Sequence, residues 1–152
     1  MPDYLVLAIR PDDWNLPLFV HILGAMVLVA GLLTCALAIV PARGDPRLLR
    51  TGWFSLLALG LPGWILMRVG AEWIYDKEGW TGDGDPAWIG IGYIVADLGG
   101  VLLLAALITG GIGLRRLDRG GGGGLLRATS ILSVVALAAY LVAVWAMGGK
   151  PS

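Results

Sequence analysis

Four long apolar stretches, Leu16 to Val40, Gly52 to Ile74, Ala87 to Leu114 and Leu125 to Met147, are separated by short polar segments. Each reaches the ~20 residues that a helix needs to cross a hydrocarbon core. None alternates apolar and polar positions as the wall of a closed barrel would, and helices and barrels are the two backbones that satisfy themselves in lipid. The expectation is therefore an all-α fold, a four-helix transmembrane bundle forming one domain over residues 1–152. Between the first two spans, Pro41-Ala42-Arg43-Gly44-Asp45-Pro46 reads as a turn closed by proline at both ends. The run Gly120 to Gly124 reads as a flexible linker with no packed structure. Pro62 should kink the second helix. Ahead of the first span, Tyr4 to Ile9 is apolar but too short to cross and is expected at the interface. A cleaved signal peptide would be shorter and preceded by basic residues. Here Asp3, Asp12 and Asp13 outweigh Arg10, so the span is expected to be retained.

Composition fits lipid as the solvent. The chain is 57% hydrophobic and 14% charged with mean hydropathy +0.79, whereas soluble domains are about 25% charged. Net charge is zero, which gives no reason to expect nucleic acid. The placement of charge is more informative than its sum. Arg43, Arg47 and Arg50 lie in the first loop, and Arg115, Arg116, Arg119 and Arg127 in the third, beside only Asp45 and Asp118. Asp3, Asp12, Asp13, Asp76, Glu78, Asp83 and Asp85 lie on the other side with Arg10, Lys77 and Lys150. Basic loops stay in the cytoplasm, so both arginine-rich loops are expected inside, with both termini outside. Trp14, Trp73, Trp80, Trp88 and Trp145 fall at the expected outer interface and Trp53 at the inner one, where indoles anchor. Trp64 is mid-span and stands apart. Nine arginines against two lysines, with abundant Ala and Gly, suggest a GC-rich bacterial genome and hence a multi-pass protein of the bacterial plasma membrane.

Small residues let helices approach closely in lipid. His21, Gly24, Leu28, Gly31 and Cys35 form a heptad-spaced stripe on the first span, and Gly92, Ala96 and Gly100 stand four apart on the third. These are the expected packing seams. The segment Gly24 to Thr34 also resembles Gly99 to Thr109, as an internal repeat of two hairpins would.

Ionisable groups inside spans are costly, and they pair or serve a function. His21, Arg68, Glu72 and Asp97 are such groups. With a rise of about 1.5 Å per residue, His21 lies about 8 Å below the outer end of its span, Arg68 about 9 Å, Glu72 about 3 Å and Asp97 about 15 Å. Three helices thus present polar groups in the same half of the membrane. Arg68 and Glu72 share a helix face, and Arg68, which keeps its proton, needs a carboxylate or a route to the interface. Asp97 is its expected partner across helices, with His21 within hydrogen-bonding reach of either carboxylate. Two readings follow from this cluster: a polar clasp holding the bundle together, or a pocket for a proton, ion or small ligand.

Other chemistry is sparse. One histidine and one cysteine cannot close a zinc site, and His21 and Cys35 are about 21 Å apart along one helix. No phosphate loop, zinc-protease helix or nucleophile elbow is present, so neither an enzyme nor a bound cofactor or metal is expected. Gly82-Asp83-Gly84-Asp85 lacks the ligand pattern of a calcium loop and reads as a solvated turn. The Arg115, Arg116 and Arg119 cluster suits anionic lipid headgroups.

His21-Ile22-Leu23-Gly24-Ala25, followed by Gly31, resembles the first helix of a bacterial family of uncharacterised integral membrane proteins, itself similar to copper-resistance-D type membrane proteins. That resemblance implies a multi-helix bundle and, more loosely, copper handling centred on His21. The expectation from the residues themselves is a non-enzymatic small bundle or accessory subunit with an outward-side polar cluster. Its partners would be the lipid bilayer, a second copy, or a larger membrane complex. A small transporter of protons, metal or a small anion is the alternative, and a haem- or metal-binding redox subunit the next.

Overall fold

Apolar runs of this length leave the backbone no partner but itself in lipid, and each run is helical from end to end. The computed structural model describes residues 12–42, 45–82 and 84–149. The Tyr4 to Ile9 piece, Asp3, Arg10, Arg43, Gly44, Asp83 and Lys150 lie outside the described residues. After a 3-10 turn at Asp12–Trp14, the helices are α1 (Asn15–Ile39), α2 (Pro46–Glu78), α3 (Ala87–Leu117) and α4 (Gly123–Gly149). All four are long and apolar enough to span a membrane. α2, α3 and α4 run beyond the expected spans at their ends, and α1 is shifted by one residue.

Each boundary has a local cause. Asp45 caps α2 by accepting the Arg47 backbone N–H at 2.8 Å, and Pro46 follows where a helix has no N–H bond to lose. Gly79 ends α2 in the left-handed conformation with φ 74°. The glycine run is not the loose linker that its composition suggests. Gly120 and Gly122 take positive φ in a tight turn, the Gly121 N–H bonds the Arg116 carbonyl at 3.0 Å, and Gly123 and Gly124 already begin α4. A side chain at Gly122 would strike the Gly113 backbone, so the turn is packed against α3.

Within α2, Leu56–Gly60 is a π-helical turn in which the Leu61 N–H bonds Leu56 five residues back. It lies directly before Pro62. A proline ring crowds the carbonyl four residues earlier, here that of Ala58, and the wider turn makes room for it. The expected kink is thus a π turn, a common way for a long helix to absorb such a break.

The helices form two antiparallel hairpins, and the seams within them are built differently. Along α1 and α2 backbone meets backbone: Gly24 lies against Met67, Gly31 against Gly60, Gly63 against Leu28, and Gly70 against His21. The residue numbers of every facing pair have the same sum, so one register runs the whole seam. The α1 positions repeat at three- and four-residue steps, so His21, Gly24, Leu28 and Gly31 all face α2. Cys35, the last of the stripe, turns instead to α4. On α3 the glycines are slots for large side chains: Gly92 for Met147, Gly99 for Tyr140, Gly100 for Trp64 and Gly110 for Trp53. Gly92, Ala96 and Gly100 therefore do not form one seam. Steps of four residues drift by about 40° each on a helix, and the stripe rotates from α4 at Gly92 to α2 at Gly100.

Leu28, Leu32, Leu56 and Leu103 are fully buried where the hairpins meet. When Gly24 is aligned on Gly99, Leu28 falls on Leu103, Gly31 on Ala106 and Cys35 on Gly110, buried in both, whereas buried Leu32 falls on Leu107 and buried Gly100 on Ala25, which are not buried. Large apolar side chains such as Phe19, Met26, Ile94 and Ile131 point away from the bundle, as a surface bathed in lipid requires.

Candidate functional site

Arg68 and Glu72 stand one turn apart near the acidic end of α2, and α3 runs past them antiparallel. Trp64 faces Gly100, Arg68 faces Asp97, and Glu72 faces Tyr93. Arg68 makes an ion pair with Glu72 through Nη1, and its Nε lies 3.3 Å from Asp97 Oδ1. Its guanidinium sits over the Tyr93 ring at 4.6 Å from the centroid, a cation–π arrangement. Tyr93 in turn donates its hydroxyl to Glu72 Oε2 at 3.4 Å. The pairing of Arg68 with Asp97 is the one that residue type and depth predict. α3, at 31 residues, is about 46 Å long, more than a hydrocarbon core of about 30 Å requires.

Exposure separates the members of this cluster. The Arg68 side chain is 25% exposed, whereas Glu72 is 51% and Asp97 64% exposed. The cation is tucked between α2 and α3, and the two carboxylates lie on the outer flank of the bundle. One positive charge faces two negative ones, leaving a formal surplus of one negative charge.

His21 is not part of that network. Its Nδ1 donates to the Met67 carbonyl at 2.9 Å, which bonds α1 to α2 beside the Gly24 and Gly70 contacts. The expected hydrogen bond to a carboxylate is replaced because the glycine seam brings the Met67 backbone to His21 first. His21 and Arg68 do share a small, partly open cavity of about 60 Å³, with Tyr93, Tyr140, Met67 and Met147 also in its wall. That is room for a few waters. Leu28 also forms part of its wall.

Two indoles lock α2 to α3. Trp64 donates to the Ala96 carbonyl at 2.9 Å, and Trp53 to the Leu107 carbonyl at 2.9 Å. Trp53, expected at the interface, is thus turned into the bundle. Tyr140 of α4 donates to the same Ala96 carbonyl at 3.4 Å. Ala96 therefore acts through its backbone as the point where three helices are tied.

Sequence reasoning missed a second polar chain, in the arginine half. Cys35 Sγ lies 3.4 Å from Ser133 Oγ, Ser133 donates to the Thr129 carbonyl at 2.8 Å, and the Thr129 and Thr109 hydroxyls are 2.9 Å apart. These groups connect α1, α4 and α3. The available signal was Thr129, Ser130 and Ser133 clustered within one turn of an otherwise apolar span. Among the described residues no group of three His, Cys, Asp or Glu side chains is gathered closely enough to hold a metal ion.

In comparisons with known proteins, no family model matches the chain, and neither does any curated protein or solved structure.

Proposed function

We propose that the chain is a non-enzymatic four-span protein of the bacterial plasma membrane that serves as an accessory subunit. Its Arg68, Glu72 and Asp97 flank would be the surface that joins a larger membrane assembly. The observation that carries this reading is the exposure of the Glu72 and Asp97 side chains on the outer flank of spanning helices. Ionisable groups in a span ordinarily face protein or water. The surplus negative charge asks for a cation from outside the chain. A second copy meeting this flank by a two-fold axis would bring two more carboxylates for one more arginine and double the surplus. A different spanning helix with Lys or Arg at that depth satisfies it. The arginine-rich loops then belong in the cytoplasm and the acidic end outside. Affinity purification of the tagged chain from its own membranes in mild detergent tests this. Wild type should retain a companion protein, and the double variant Glu72→Gln, Asp97→Asn should lose it while remaining folded. Equal recovery of companions by both would overturn the proposal.

The cavity beside Arg68 favours a second reading, a pocket for a proton or small ligand reached from the acidic end, because His21, Arg68 and two tyrosines line it. Loss of proton flux by His21→Ala in liposomes would support that reading, and unchanged flux would remove it.

A further inference from the structure

At the arginine end, residues from all four helices line a groove of about 450 Å³. Its walls are apolar, with Ile39 from α1, Leu49 from α2, Leu117 from α3 and Leu126 from α4. Two polar residues of α4, Arg127 and Ser130, also line it. They are three residues apart, so they share a helix face. Ser130 is 8% exposed. Its neighbours Thr129 and Ser133 satisfy their hydroxyls by bonding back to the Leu125 and Thr129 carbonyls, but Ser130 has no hydrogen-bond partner among the described residues. Ser130 lines the groove, so its free hydroxyl is placed to meet something that the groove admits. Arg127 is exposed and has no ion pair among the described residues. The carboxylates at this end are already engaged: Asp118 lies 3.5 Å from Arg50, and Asp45 caps α2. Arg47, Arg115, Arg116, Arg119 and Arg127 remain in excess.

We propose that this groove binds an anionic phospholipid of the adjoining leaflet, with its phosphate on Arg127, its glycerol ester oxygens on the Ser130 hydroxyl and an acyl chain along the apolar walls. The order of these groups along α4 matches the order within a lipid. Ser130 lies about 4.5 Å deeper than Arg127 along the helix, as ester oxygens lie deeper than phosphate. A free anion would use Arg127 and leave the apolar groove empty. Basic residues near a membrane surface attract anionic lipid, and here a shaped groove adds apolar contact to that attraction.

The test uses the full chain, stripped of lipid in detergent and titrated with phosphatidylglycerol, phosphatidylcholine or inorganic phosphate. Thermal stability and bound lipid by native mass spectrometry are the two readouts. Phosphatidylglycerol should raise the Tm saturably and remain bound, and the other two should do neither. Arg127→Gln should weaken the half-saturating concentration about tenfold, equivalent to 1.4 kcal/mol, and Ser130→Ala a few-fold. Arg119→Gln, away from the groove, should leave it unchanged. Ser130→Leu, which fills the groove and keeps every charge, should abolish retention and gives a second measure if Arg127→Gln fails to fold. An equal response to phosphatidylcholine, an equal response to inorganic phosphate, or equal losses in Arg119→Gln and Arg127→Gln would each overturn the assignment.

Discussion

Replacing Gly24 by alanine tests the backbone-on-backbone seam between α1 and α2, because two effects of opposite sign compete there. A Cβ at Gly24 would lie 2.7 Å from the Leu66 carbonyl carbon and 2.7 Å from Met67 Cα, against an ordinary carbon separation of about 3.5–4.0 Å. The helices must part by roughly 1 Å at this point, a gap that forfeits a quarter to a half of each contact's dispersion energy. The partners are backbone atoms and cannot rotate away. Overpacking of this kind costs about 1–3 kcal/mol, and here it also stretches the His21 to Met67 bond. Against it stands a gain of up to about 1 kcal/mol from replacing glycine within a helix. The net expectation is a loss of about 1–2 kcal/mol. Gly90 supplies the control, since it is helical in α3 with nothing within 4 Å of an added Cβ. Gly90→Ala keeps only the gain and should stabilise by about 0.5–1 kcal/mol. Unfolding in mixed detergent and SDS micelles, followed by far-UV circular dichroism, reads both. Gly24→Ala as stable as Gly90→Ala would refute close approach at this seam.

Other substitutions test the polar ties. Arg68→Ala strands Glu72 and Asp97 together and should destabilise by about 2 kcal/mol in the same assay, below the 3–5 kcal/mol of a fully buried pair because both carboxylates are exposed. The triple variant Arg68→Met, Glu72→Gln, Asp97→Asn should recover most of that loss; a triple variant weaker than Arg68→Ala would show that the charges themselves hold the bundle. Trp64→Phe removes the donor to the Ala96 carbonyl while Tyr140 stays on it, so a loss near 1 kcal/mol is expected. Trp64→Ala also empties the slot at Gly100 and should cost about 3 kcal/mol or more; equal losses from the two would mean that packing contributes nothing there.

The helices were legible because length and hydropathy suffice to recognise a span, and backbone satisfaction in lipid leaves one regular answer. The pairing of Arg68 with Asp97 was legible for a related reason, since charge and depth together leave few choices. Azimuth was harder to read. Gly92, Ala96 and Gly100 look like one stripe until the helical drift carries them from α4 to α2, and only the partners' large side chains reveal the slots. Glycine composition misled at Gly120 to Gly124, where the same residue type serves a tight turn and then a helix start. The sequence puts His21 within reach of a carboxylate because side-chain chemistry is visible there, whereas the approach of the Met67 carbonyl depends on a backbone register that it does not display. The Cys35, Ser133, Thr129 and Thr109 chain went unread because hydroxyls in spans usually bond their own helix, as Thr109 also does to Ala105 at 2.8 Å.

The reading of the α2 and α3 flank as an assembly surface is tested most directly by photo-crosslinking in intact cells. A benzophenone side chain would be placed at Ile94 or Val101, one turn to either side of Asp97 and 61% and 64% exposed, and at Met26, 65% exposed on α1. Adducts to another membrane protein from Ile94 and Val101 but not from Met26, lost when Glu72→Gln and Asp97→Asn are added, are the predicted result. Lipid adducts alone from all three positions would contradict it.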